Sequence, residues 1–234
     1  MKRRSKRYES NSKSFDCSKQ YVLEEAIRIL KGFAPAKFDE SVELNFRLGI
    51  RADQSNENVR GVTTLPHGTG KTVKVLCFAK GEAQRAAQAA GADYVGAEEY
   101  VKKVSEGWMD FDAVVAHPEM MRDISKLGKI LGPRGLMPTP KTGTVTTDVD
   151  KTIREIKSGR IEFKSDKTAG LHVRFGRRSF SEENLLDNAK AAIRAVIDSK
   201  PSACKGDYIK RVSVASSQSP GIKLRTTSMT VVDG

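Results

Sequence analysis

The stretch from Leu65 to Thr72, LPHGTGKT, ends like a phosphate-binding loop, and what it is decides the fold. A nucleotide-binding P-loop needs a glycine five residues ahead of the Gly-Lys-Thr, so that successive backbone N–H groups curl toward phosphate oxygens. Leu65 occupies that place, and Pro66 after it has no N–H to offer. A P-loop also follows a buried strand and opens a helix, whereas Gly70, Lys71 and Thr72 run into VKVLCFA, which itself reads as a buried strand. The dinucleotide fingerprint fares no better, because GTGKTV supplies two of its three glycines. The stretch is instead read as a hinge strand, where the chain leaves one folding unit for another.

Downstream of it the pattern alternates. Val73 to Ala79 reads as a strand, EAQRAAQAA as a helix stopped by Gly91, ADYVG as a strand and EEYVKKVSEG as a helix. DAVVAH follows as a strand, then a helix from Glu119 to about Leu131 with Pro118 at its first turn. Short apolar strands alternating with helices indicate a parallel sheet covered on both faces, a small Rossmann-like unit of three layers. GPRGLMPTPKTG then forbids regular structure.

The flanks read as open α+β. Val22, Leu23, Ala26, Ile27 and Leu30 recur at helical spacing, with Gly32 placed to cap the end. Val42, Leu44, Phe46, Leu48 and Ile50 alternate with Glu43, Asn45, Arg47 and Gly49, which puts one strand face on a core and leaves the other wet. RIEFKSD and GLHVRFG read as a strand pair joined by Lys-Thr-Ala, Ser181 to Lys200 as an amphipathic helix stopped by Pro201, and Lys210–Ala215 and Ile222–Arg225 as short final strands. Neither flank has enough strands to close a sheet alone. The expected fold is therefore α/β with two domains: residues 1–67 and 160–234 forming one discontinuous α+β domain, and residues 68–159 inserted between them.

Charge divides along the same lines. The chain carries 41 Lys and Arg against 29 Asp and Glu, a net of +12. Residues 68–159 hold 14 of the basic and 12 of the acidic side chains, so the inserted domain keeps +2 and the flanks +10. An excess needed only for solubility would spread over both; its concentration indicates a polyanion-binding face on the discontinuous domain. Three cysteines at wide spacing and three isolated histidines give no metal-ligand or redox pattern, and no cofactor is expected. No apolar run approaches a membrane span, and MKRRSKRYESNSKSF has no apolar region after its charges, so neither a membrane partner nor a secretory signal is expected. Lys2, Arg3, Arg4, Lys6 and Arg7 read as a basic tail too short of apolar residues to fold alone, disordered until it meets a polyanion.

The strings AKFDESVELNFRLGI, NVRGVTTLPHGTGK, AGADYVG, GWMDFDAVVA, KLGKILGPRGLMP, IREIKSGRIEFKSDKT and KPSACKGDYIKRV together resemble the bacterial-type large-subunit ribosomal protein family L-one, the stalk proteins. The likeness runs in order from about Lys19 to Val214. It implies a split two-domain protein that binds the stalk region of large-subunit ribosomal RNA near the exit site, assists release of deacylated tRNA and represses translation of its own mRNA. It implies a monomer within the ribosome of a bacterial cytoplasm or, equally, of an organelle. It implies no enzyme, in keeping with the broken P-loop and the lack of any Ser, His and Asp grouping. An RNA chaperone working off the ribosome would share the chemistry and differ in partner.

The resemblance also places the RNA site in three segments. In the first, Lys37 would meet phosphate, Phe38 would pack on a ribose or base, and Ser41, Glu43 and Asn45 would line the strand, with Ser41 and Glu43 bonding sugar hydroxyls or base edges. Lys164, Lys167 and Thr168 would form a second wall. In the third segment, Ser216, Ser217, Gln218, Ser219, Pro220 and Gly221 stand where relatives carry threonines, methionine and glycine. Ser216, Ser217 and Gln218 would make the contact, Gln218 cannot reproduce a methionine's apolar contact, and Ser219 restricts a backbone position where glycine would allow close approach. The residues alone leave plainer readings open: Phe38 as core, Glu43 as a solvated strand residue, Trp108 as core rather than a stacking platform, and Arg134 as the pin of its loop.

Overall fold

The computed structural model describes residues 4–51, 54, 57–204 and 206–226. The chain crosses between two compact units at Gly70–Lys71 and again at Arg160–Ile161.

The first unit is built on a four-stranded antiparallel sheet. Strands β1 (Ser41–Leu48), β7 (Gly170–Arg177), β8 (Ile209–Ser216) and β9 (Ile222–Leu224) lie in the order β7-β1-β8-β9. Strand β1 comes from the early chain, yet it sits between two strands from the late chain, so the segments on either side of the other unit share one sheet. Its alternation is the reason: Val42, Leu44, Phe46 and Leu48 are buried, while Ser41, Glu43, Asn45 and Arg47 point the other way. Helices α2 (Leu23–Gly32) and α8 (Glu182–Asp198) cover the buried face. The first turn of α2 carries Glu24 and Glu25 and its last turn Lys31, matching the helix dipole. Gly32 is its last helical residue and not the expected cap; the chain ends the helix by turning extended at Phe33. In α8 the Ser181 hydroxyl accepts from the Asn184 N–H at 3.1 Å, and Leu185, Asn188, Ala189, Ala192, Ile193 and Val196 form its buried stripe.

Three expectations change in this unit. The 160–177 segments do not form one hairpin: β6 (Arg160–Lys164) pairs with β2 (Arg60–Thr64) in a separate two-stranded sheet, β7 joins β1, and Ser165 and Leu171 share one isolated bridge. The basic tail is ordered from Lys6, forming helix α1 (Lys6–Lys13) capped by Ser5; Lys2 and Arg3 lie outside the described residues. The LPHGTG stretch is a turn and coil rather than a strand, because buried Asn188 holds it. That amide accepts from the His67 N–H and donates to the Gly68 carbonyl, both at 3.0 Å. Gly70 has φ 71°, and a Cβ there would stand 2.7 Å from the Phe180 ring, so glycine is required.

The second unit is a parallel sheet of β3 (Val75–Phe78), β4 (Tyr94–Gly96) and β5 (Ala113–Ala116) in the order β4-β3-β5, with apolar clusters on both faces. Helices α3 (Gly81–Ala89) and α7 (Val149–Lys157) pack on one side, and α4 (Glu98–Ser105), α5 (Met121–Ile124) and α6 (Gly128–Leu131) lie on the other. The single helix expected from Glu119 is broken by 3₁₀ turns at Pro118–Met120 and Ser125–Leu127. Ser125 turns its hydroxyl back onto the Met121 carbonyl at 2.6 Å, a bond that competes with the helical ladder, and Gly128 follows. Trp108 packs edge-on against Tyr94 with ring centroids 4.8 Å apart, partly buried against the core on that side.

Candidate nucleic-acid interface

The face of the four-stranded sheet opposite α2 and α8 is open to solvent. Period-two alternation brings Ser41, Glu43, Asn45 and Arg47 of β1 onto it, flanked by His172 and Arg174 of β7, Arg211 and Ser213 of β8, and Lys223 of β9. Arg47, His172, Arg174, Arg211 and Lys223 are all exposed. Among these strand positions Glu43 is the single acid. Arg47 and Arg211 stand directly opposite across β1 and β8, a like-charge pairing that works against sheet stability. A polyanion laid on the face reverses that sign.

The pattern also holds polar groups suited to sugar hydroxyls. Glu43 stands 3.6 Å from Arg174, a loose ion pair, with its side chain 36% exposed, so carboxylate lone pairs remain for an incoming donor. The Asn45 Oδ1 lies 2.6 Å from the His172 Nδ1. Replacing Glu43 with glutamine should weaken specific RNA binding by about 1 to 3 kcal/mol and slightly strengthen nonspecific binding. Titration of both kinds of RNA checks this, and unchanged affinity in both would leave Glu43 a solvated strand residue.

The other sequence-predicted residues rim this face. Lys37 is exposed in the loop before β1, and Phe38 beside it is 52% exposed, which rules out the core reading. An aromatic ring left in water offers an open face of the kind on which bases stack. Lys164 is exposed at the end of β6, and Lys167 and Thr168 occupy the loop to β7. That loop is tied by Asp166, which accepts from the N–H groups of Thr168 and Gly170, each at 2.7 Å, and from the Thr168 hydroxyl at 2.8 Å. Those bonds, the Gly170 N–H foremost, hold the Asp166 carboxyl below its ordinary range. The loop's order is thus full above that ordinary range and is lost as pH falls through the depressed value. Ala169 takes φ 61° to complete the turn, and Arg47 donates to the Thr168 carbonyl, which joins this wall to the sheet.

The third segment divides. Ser217 and Gln218 are exposed at the turn after β8, and the Ser217 hydroxyl accepts from the Ser41 N–H at 3.1 Å. Ser216 is 5% exposed and its hydroxyl is committed to Glu40, so it lies beneath the face, not on it; this corrects its place among the contact residues. Residues that the sequence reading passed over are Arg47, His172, Arg174, Arg211, Ser213 and Lys223. Their signal was the period-two pattern of GLHVRFG and KRVSVAS, readable once each strand's partner is known. Arg134, in the other unit, is exposed.

Among the described residues no three His, Cys, Asp or Glu groups gather as metal ligands. Cys77 is a core thiol that burial pushes up to about 12. No helix among the described residues is long and apolar enough to cross a membrane.

Comparison with known proteins gives first the class, a structural and non-enzymatic component of the large ribosomal subunit. The chain belongs to the Ribosomal protein L1p/L10e family, whose model matches residues 30–220. Over 224 residues, 96% of this chain and 97% of the relative, it is 51% identical to the large ribosomal subunit protein uL1 of Kosmotoga olearia.

Proposed function

We propose that the open sheet face binds the stalk helix-loop of large-subunit ribosomal RNA near the exit site. Lys37, Phe38, Ser41, Glu43, Asn45, Lys164, Lys167, Thr168, Ser217 and Gln218 line the contact, and Arg47, Arg174, Arg211 and Lys223 supply its charge. The observation that supports it most is the juxtaposition of opposed arginines and one carboxylate on a single solvent-facing sheet, with an exposed phenylalanine in the loop that leads into its strand β1. A-form RNA offers phosphates and 2'-hydroxyls in a shallow groove, so a protein reads it with cations, hydroxyl acceptors and stacking rings. Glu43 argues for specificity, since a carboxylate beside RNA is unfavourable unless a donor meets it.

From the stalk the protein assists release of deacylated tRNA, and by binding a similar fold in its own mRNA leader it represses its own translation. It acts as a monomer within the ribosome of a bacterial cytoplasm. Discrimination against an unrelated hairpin of equal length tests the reading. At about 0.3 M salt binding to the stalk fragment should persist, while binding to the unrelated hairpin falls by orders of magnitude through counterion release. Equal loss on both RNAs would reduce the face to a nonspecific cationic surface.

A further inference from the structure

Beneath the rim lies a charged group that touches no solvent. Glu40 is 1% exposed, between the Lys37–Phe38 loop and the first residue of β1. Its Oε1 accepts from the Ala36 N–H at 2.9 Å and from Arg7 Nη1 at 3.0 Å. Its Oε2 accepts from the Ser216 hydroxyl and faces Arg178 Nη1 at 4.0 Å. The Arg178 N–H donates to the Glu40 carbonyl at 2.8 Å. Arg7 extends the network from α1, since its Nη2 donates to the Gln218 Oε1 at 2.5 Å.

We propose that buried Glu40 and partly buried Arg7 form an ionic joint that positions the RNA-binding rim, holding the Lys37–Phe38 loop and the Ser217–Gln218 turn in register without themselves contacting RNA. This rests on the reading of the face given above. A buried ion pair adds little to stability compared with apolar packing of the same volume, so its distinctive contribution is geometric. One carboxylate here hydrogen-bonds three separate stretches of chain, α1, the loop before β1 and the end of β8, and stands near the guanidinium of a fourth, the residue after β7. A guanidinium can serve Glu40 and Gln218 together because its donors are forked, and an ammonium on a flexible stem does not reproduce that arrangement. Rim residues held in place need not be ordered when RNA arrives, and that preorganisation shows as affinity. Arg7 thus acts on RNA binding through the protein.

The test uses the full chain with the stalk helix-loop fragment of ribosomal RNA and an unrelated hairpin. Arg7→Ala and Arg7→Lys are compared with wild type, well below their melting temperatures, across a salt series. Both variants should bind the stalk fragment about tenfold more weakly, with the slope of log affinity against log salt unchanged and binding to the unrelated hairpin unaltered. Full affinity in Arg7→Lys, or a slope smaller by about one in Arg7→Ala, would make Arg7 a phosphate contact and overturn the joint. Wild-type affinity in both variants would overturn it as well. Glu40→Gln should show a loss of the same kind, and the arginine variants decide the matter even where that protein does not fold. A wild-type protein that does not prefer the stalk fragment overturns the functional reading and the joint together, whereas failure of the variants alone removes only the joint.

Discussion

A Leu44→Ala protein is expected to lose about 2 to 5 kcal/mol of unfolding free energy from the unit that carries the sheet face. Leu44 is fully buried on β1, one of the two inner strands of the sheet, with Val173 and Val214 as its cross-strand neighbours, both in the same core. Truncation removes the transfer free energy of the side chain and leaves a cavity that the two flanking strands restrain from collapsing. The loss is a large share of a domain's usual 5 to 15 kcal/mol, so RNA binding should fail on warming well before that of the parent. The other unit has its own cores around Leu76, Phe78, Val75 and Ile153, and its transition should stay in place. Denaturant unfolding followed by amide exchange reads both units. A change below about 0.5 kcal/mol, the range of surface substitutions, would mean that β1 does not anchor the sheet.

The larger functional effect should come from reversing charge on the face. Arg47→Glu combined with Arg174→Glu changes the local charge by four in a region where counterion release dominates affinity. Stalk-fragment binding at about 0.15 M salt should fall on the order of 100- to 1000-fold, with a visibly shallower salt dependence. Pairing within the sheet does not suffer, because Arg47 faces Arg211 across the strands and its reversal replaces a repulsive pair with an attractive one; the bond from Arg47 to the Thr168 carbonyl is lost, so melting of each double is measured beside its affinity. Arg174→Glu does set two carboxylates opposite each other at Glu43, so Arg174→Gln with Arg47→Gln is the milder companion, expected to lose about 10-fold or more. Undiminished affinity in both doubles would move the RNA off this face.

These effects were unequally legible in the sequence. The alternation through Val42 and Leu48 identified β1, its buried side and its wet side, because burial on one face alone imposes a period of two. The stripe of α8 and its Ser181 cap were legible for the same kind of reason. Pairing was less so: RIEFK and GLHVRFG adjoin in sequence and invite a hairpin, yet Gly61 lets the Phe163 ring approach β2, and the two strands go to different sheets. Helix α7 carried a readable signal in Val149, Ile153 and Ile156, but it follows a proline- and glycine-rich loop and its Asp148 cap makes no side-chain bond. In the site, exposed Phe38 could be placed only by the fold, since an aromatic before a strand fits a core equally well. Ser216 illustrates the limit most clearly. Its neighbour Ser217 has the same chemistry and one residue of register separates the buried hydroxyl from the exposed one.

The central claim is that RNA is held by the unit made from both chain ends, and a chain lacking residues 71–160 tests it most directly. Strands β2 and β6, which flank the two crossings, pair with each other, so Gly70 and Ile161 can be joined by a short glycine-serine linker. Once circular dichroism and amide exchange show the shortened protein folded, its affinity for the stalk fragment should lie within a few-fold of the full chain, with the same salt slope. Loss of most of the binding energy in that folded protein, or strong stalk binding by the isolated 71–160 unit, would contradict the account.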